Sequence, residues 1–264
     1  MDKRAGRRER VLITGASSGI GAEMAKAFAA KGFHPVLLAR TREKLDQLAL
    51  ELERSSGTDV TVLVADLNDP GTPRAVFASL LEREIQIDIL VNNAGIALEG
   101  DFAEAAPEDQ LRLLQVNVVA LTELTRLFLE PMLKRAHGRI LNVSSLSAFA
   151  PIPKMAIYAA SKAYVLSLTE AMSEELKGTG VTISALCPGF TETPMVRQSA
   201  RASQLPSLIV MDAAEVAKQG VTACLAGEVV HVPGLTNSAF AQGVQYLPRT
   251  LTRALGGYLS RLPG

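Results

Sequence analysis

Cysteine is nearly absent from this chain: Cys187 and Cys224 are the only two in 264 residues. No disulfide framework can be built from them, and a reducing, cytoplasmic setting is expected. Histidine is as scarce, and His34, His137 and His231 lack metal-ligand spacing, so no metal site is expected. Net charge is missing too, because 27 basic and 27 acidic residues cancel, which removes any general reason to expect nucleic acid as a partner. No uncharged run is long enough for a transmembrane helix. Residues 1–10 hold five basic side chains, and Thr14-Gly15 ends the apolar run that starts at Val11. That stretch reads as a solvated basic tail without a signal-peptide core. What is present is apolar mass, 48% of the residues, enough for a substantial core.

Short apolar runs alternate with longer helical patterns. Strands are expected at 11–13, 35–39, 60–65, 87–91, 139–143, 182–186 and 228–232. Helices are expected at 20–31, 42–54, 73–84, 108–134 with a bend at Pro131, and 158–177. Near-continuous apolar strands separated by helices point to a parallel sheet buried on both faces. The expected architecture is one doubly wound α/β domain of the Rossmann type over 11–235, with helices on both faces. Residues 236–264 are expected to form a helical C-terminal extension of it.

Thr14-Gly-Ala-Ser-Ser-Gly-Ile-Gly21 falls between the first strand and the first helix. Open α/β sheets bind dinucleotides there, with backbone N–H groups and the helix N-terminus facing the pyrophosphate. Gly15, Gly19 and Gly21 permit the turn and the close approach of backbone to phosphate. Farther on, Tyr158 and Lys162 share a helix face at a spacing of four. A fixed cation favours the tyrosinate over the neutral phenol, whose ordinary pKa is about 10. Ser145, thirteen residues earlier, could hold a carbonyl oxygen. Ser144 is its immediate competitor. Tyr164, on another face, reads as packing, and Cys187 as a small buried residue.

In this order the motifs resemble the classical short-chain dehydrogenases/reductases. They are the Thr-Gly-x-x-x-Gly-x-Gly loop, Asn92-Asn-Ala-Gly95, Asn117, Ser145, Tyr158-x-x-x-Lys162 and Pro188-Gly189, covering roughly residues 10–195. The resemblance implies that Tyr158 donates and accepts the proton and that Ser145 orients the substrate oxygen. Lys162 would bind the nicotinamide ribose and lower the tyrosine's pKa. Asn117 would hold a water linking Lys162 to solvent; bonding to backbone, with a bend in the long helix, is its alternative. The same resemblance carries cofactor contacts onto Ser17, Ser18 and Ile20 of the loop. It does likewise for Asp66, Leu67, Asn93, Ala94, Gly95, Pro188, Gly189, Thr191 and Thr193, besides Tyr158 and Lys162. Asp66 also reads as a loop or N-cap carboxylate, and Asn92 as a turn former.

At the end of the second strand, Ala39 stands where NAD-preferring members place Asp. Arg40, with Arg42 near it, suits a 2′-phosphate, so NADP(H) is the expected cofactor. By analogy with the family, Phe149, Ile152, Pro153, Met155, Phe190, Met195 and Val196 would line the substrate side and favour an apolar ketone, aldehyde or secondary alcohol; generic packing is the alternative reading of them. The alternatives are an NAD-dependent alcohol dehydrogenase and a dinucleotide-binding regulator without chemistry; the latter would be expected to lose the serine, tyrosine or lysine. From His231 to Gly264 there is no Asp or Glu. There Leu247, Leu251, Leu255, Tyr258, Leu259 and Leu262 keep helical spacing beside Arg249, Arg253 and Arg261. The segment could be a packed helix, a substrate lid or a membrane-surface helix at 247–262. A homodimer through the long helix and the Tyr158 helix is expected. The substrate and the direction of reaction are not readable from the residues.

Overall fold

The computed structural model describes residues 8–197 and 210–254. Seven strands form one parallel sheet: β1 (Arg10–Thr14), β2 (His34–Ala39), β3 (Thr61–Val64), β4 (Ile89–Asn92), β5 (Gly138–Val143), β6 (Val181–Leu186) and β7 (Val230–His231). Their spatial order is β3-β2-β1-β4-β5-β6-β7, with every neighbouring pair parallel. The order reverses between β1 and β4, and the crevice at that switch point lies beyond their C-terminal ends.

Because side chains alternate along a strand, each strand feeds two cores. On one face Val11, Ile13, Leu37, Ile89, Val91 and Leu141 meet Met24 and Phe28 of α1 (Gly19–Ala30), Leu45 and Leu52 of α2 (Arg42–Ser56), and Val216 and Val221 of α8 (Ala213–Ala226), the helix after the single turn α7 (Pro194–Arg197). On the other, Leu12, Val36, Leu38, Leu90, Ile140 and Ile183 meet Val76 and Leu80 of α3 (Thr72–Glu82) and Leu124, Phe128 and Met132 of α5 (Leu121–Lys134). A side chain as fully buried as Phe28 contributes roughly 1.5–3 kcal/mol. Covering both faces is why the strands read as continuous apolar runs.

The expected long helix is α4 (Pro107–Leu114), a π-helical stretch (Gln115–Ala120) and α5 in succession. The helix passes through Pro131, and the departure from α geometry lies instead at the π stretch that carries Asn117. The Tyr158 helix is α6 (Ala156–Glu175). Arg10 belongs to β1 rather than to a tail, and β7 has two residues where five were expected, because only Val230 and His231 pair with β6.

The 235/236 boundary falls inside α9 (Leu235–Tyr246), one residue from where the helical extension was expected to begin. Helical backbone resumes at 249–254. There Leu247 and Leu251 are exposed while Thr252 is buried, opposite to an apolar stripe turned inward. Leu255, Tyr258, Leu259, Arg261 and Leu262 lie outside the described residues. No helix among the described residues is long and apolar enough to cross a membrane.

Candidate active site

A cleft of about 300 Å³ opens at the switch point. Its floor is built from the end of β1. Thr14 Oγ1 donates to Val91 O (3.2 Å) and accepts from the N–H groups of Asn93 (2.9 Å) and Ala94 (3.0 Å). The Asn93 amide returns to Thr14 O (2.9 Å) and Gly15 O (3.3 Å), so the phosphate loop and the β4 exit are fastened together. Gly15 must be glycine: its φ is +66°, and a Cβ would come within 2.9 Å of Ala94 Cα. Thr14 is a site-building residue that the sequence pattern showed only as the start of a loop.

Gly15, Ser17, Ser18, Gly19, Ile20, Arg40, Asp66, Leu67, Asn93, Ala94, Gly95, Pro188, Gly189, Thr191 and Thr193 all line this cleft. Gly21 does not. Its missing Cβ leaves room for Asn93 Nδ2 and Gly15 O, each 2.4 Å from where that atom would stand, so it acts through packing. Asn92 is also structural, its amide donating to Thr125 (3.0 Å) and Asn142 (2.9 Å) in the buried layer. Asp66 lines the cleft and also caps its own turn by accepting from Asn68 N–H (3.0 Å). Arg40 and Arg42 are exposed, and Arg40 makes no ion pair among the described residues.

At the deep end stand Ser145, Tyr158 and Lys162. The adjacent serines separate cleanly. Ser144 is buried and donates to Lys162 O (2.8 Å), holding α6 against β5. Ser145 caps the 3₁₀ turn Leu146–Phe149 by accepting from Ser147 N–H (3.1 Å), and its hydroxyl hydrogen-bonds Tyr158. Lys162 is buried, donates to Val143 O (2.8 Å), and lies 5.7 Å from the centroid of the Tyr158 ring. Burial holds the Lys162 ammonium down to about 8. Burial also pushes the Tyr158 hydroxyl above its ordinary range, with the Ser145 bond drawing it partly back. The expected depression by Lys162 is therefore not the dominant effect, since the cation sits over the ring face.

Asn117 lies behind the cleft rather than in its lining. Its amide accepts from Ile96 N–H (2.8 Å) and donates to Ile96 O (2.9 Å) and Ser161 Oγ (3.1 Å). This is backbone bonding, made to the Ile96 segment and not within the long helix. The side chain remains close to Lys162, because a methyl on Gly95 would stand 3.4 Å from Asn117 Oδ1 and 3.5 Å from Lys162 Nζ.

Of the seven residues expected on the substrate side, Met195 and Val196 line the cleft, joined by Ile96, Val116 and Val143. Phe149 instead packs on the cluster of Leu166, Ala185 and Cys187. Cys187 is buried and its thiol is pushed up to about 12 by burial, so it is packing and not a nucleophile. Tyr164 hydrogen-bonds Thr122 (2.9 Å) and joins α6 to α5 on the outer surface. Among the described residues no cluster of His, Cys, Asp and Glu could hold a metal.

The chain resembles known proteins along most of its length. A family model described as short chain dehydrogenase matches residues 9–204. Oxidoreductase UcpA of Salmonella typhimurium is 38% identical over 193 residues, 73% of each protein. A short-chain dehydrogenase from Sphingobium yanoikuyae, solved in complex with NADPH, superposes with a TM-score of 0.83 at 36% identity, covering 97% of this chain and 96% of that one. The bulky-bulky ketone specific alcohol dehydrogenase from Comamonas testosteroni superposes at 0.78 with 31% identity, covering 97% and 95%. The seven-stranded sheet, the glycine loop at its switch point and the Ser145–Tyr158–Lys162 group lead to one conclusion: the chain belongs to the short-chain dehydrogenase family.

Proposed function

We propose that this protein is an NADP(H)-dependent oxidoreductase that reduces an apolar ketone or aldehyde to the alcohol, with Tyr158 as the proton donor. The observation that carries the reading is the convergence of Ser145, Tyr158 and Lys162 at one end of a cleft whose other end carries Arg40. The residues fit a phosphorylated dinucleotide. Gly15, Ser17, Ser18 and Gly19 line the cleft where α1 begins, and Arg40 has no carboxylate partner among the described residues. Lys162 spends one of its three N–H donors on Val143 O, leaving others for a ribose hydroxyl. The complex of the Sphingobium relative with NADPH supports the same choice.

When bound, the dinucleotide supplies the hydride; the chain's own residues fix geometry and move the proton. Ser145 and Tyr158 offer two hydroxyls to one carbonyl oxygen. Tyr158, held above its ordinary pKa, keeps its proton until negative charge develops on that oxygen, which suits the reductive direction. Lys162, the nearest cation, stabilises the tyrosinate left behind. Asn117 holds the Ile96 segment against Ser161 of α6 and so keeps the Gly95 wall beside Lys162. Met195, Val196 and Ile96 make the substrate end apolar, and the ketone-specific relative from Comamonas supports that class.

The test is NADPH oxidation followed optically against a panel of apolar ketones and aldehydes, with acidic and sugar carbonyls as controls. Turnover confined to the controls would sink the substrate class, and none with any carbonyl would sink the reading. In that assay kcat/KM is expected to fall above pH of about 8, as Lys162 gives up its proton and the cation beside Tyr158 is lost. A profile flat from pH 7 to pH 10 would contradict this role.

We also propose a homodimer. Leu111 of α4, Val119 of the π stretch and Tyr164 of α6 are exposed, α6 packs beside α4 and the π stretch, and the Thr122–Tyr164 bond ties α6 to the first turn of α5. Light scattering is expected to give a dimer mass for the native chain and a monomer mass for Val119→Glu. A monomeric native chain would refute it.

A further inference from the structure

We infer that Asn237, in the first turn of α9, is a positioning residue that fastens the C-terminal extension to the Pro188–Thr193 wall of the cleft. The inference rests on reading that cleft as a dinucleotide site. Asn237 is buried, and a buried amide needs partners. Its Nδ2 donates to Pro233 O (2.9 Å) and toward Met211 Sδ (3.5 Å). The same side chain touches the wall directly. A methyl group on Gly189 would stand 2.7 Å from Asn237 Nδ2, 2.8 Å from Oδ1 and 2.9 Å from Cγ, so Gly189 is glycine because Asn237 occupies the space beside it.

Met211 supplies the second connection. Its N–H donates to Phe190 O (2.9 Å) and its carbonyl accepts from Glu192 N–H (2.9 Å), so its backbone brackets Thr191. Its sulfur reaches the extension, lying 3.0 Å from the position a Cβ would take on Gly234, whose φ is +85°. Gly189, Thr191 and Thr193 of the bracketed segment all line the cleft, whereas Asn237 and Met211 do not. Asn237 therefore acts through the wall, and an apolar residue of similar size could fill its space but not bond Pro233 and Met211.

The test compares Asn237→Ala with Val244→Ala, which empties a buried position on the same helix without touching the wall. Two readouts are taken. The first is NADPH affinity by fluorescence titration; the second is amide hydrogen exchange of 188–193 in the protein without cofactor. Asn237→Ala is expected to weaken NADPH about tenfold, the equivalent of ~1.4 kcal/mol. It is also expected to speed exchange across 188–193 by about as much, while Val244→Ala changes neither, since exchange reports local opening. Equal effects from the two variants would reduce Asn237 to general packing, and no effect from Asn237→Ala would overturn the inference outright. A native chain that fails to bind NADPH would sink the dinucleotide reading, while the exchange comparison would still decide whether Asn237 holds the wall.

Discussion

Tyr158→Phe is expected to lower turnover by about 10³-fold while leaving NADPH affinity within about twofold of native, since a positioned general acid contributes roughly 10²–10⁴-fold. The phenyl ring fills the same space, so the Lys162 ammonium keeps its position over the ring face. Only the hydroxyl is removed, and with it the proton that Ser145 helps to aim. Ser145 remains beside the carbonyl oxygen but has no comparable acid behind it. Stopped single-turnover kinetics separate the steps: binding is expected to persist and the chemical step to fail. Retained turnover would remove Tyr158 from the mechanism.

Arg40→Glu carries the second largest expected effect. Arg40 stands at the end of β2, exposed, lining the cleft, and without an ion pair among the described residues. A guanidinium there is free to take a phosphate in its planar fork, and a carboxylate in its place would repel the phosphate and accept from a ribose hydroxyl instead. NADPH is expected to bind roughly a hundredfold more weakly, as follows from losing a charge-assisted hydrogen bond and adding repulsion, while NADH binds as well as before or better. Titrations with both dinucleotides measure the ratio. An unchanged NADPH affinity would transfer the phosphate contact to another residue and leave the cofactor preference without its stated cause.

The strands were legible because a parallel sheet covered on both faces favours apolar side chains on both sides of each strand, and Val11–Ile13, Val36–Ala39 and Ile89–Val91 are unbroken apolar runs. The phosphate loop was legible because a strand, glycines and a helix in that order leave the backbone little alternative. Adjacent residues of one kind were harder. Asn92 and Asn93 look alike in sequence, but successive strand side chains point to opposite faces. One therefore bonds Thr125 and Asn142 in the buried layer while the other closes the cleft floor. Ser144 and Ser145 divide in the same way. Helix α9 falls within the helical extension expected for 236–264, although Leu235–Tyr246 carries Thr, Asn, Ser and Gly among its apolar residues and shows no clear stripe.

By itself the sequence determined the order of strands and helices, the place of the phosphate loop and the identity of Ser145, Tyr158 and Lys162. The first two follow from short-range rules of periodicity and glycine conformation, and the trio from the resemblance of its motifs to those of the short-chain dehydrogenases/reductases. The electrostatics of that trio were decided only by the tertiary structure. Lys162 is desolvated beneath β5 and lies over the Tyr158 ring, so burial, and not the neighbouring cation, dominates the tyrosine's acidity. The placement of the Asn117 amide on Ile96 and the packing of Asn237 against Gly189 are of the same kind. Each joins segments 21 or more residues apart in the chain, and a contact at that separation is set by how the elements pack, which no local pattern encodes.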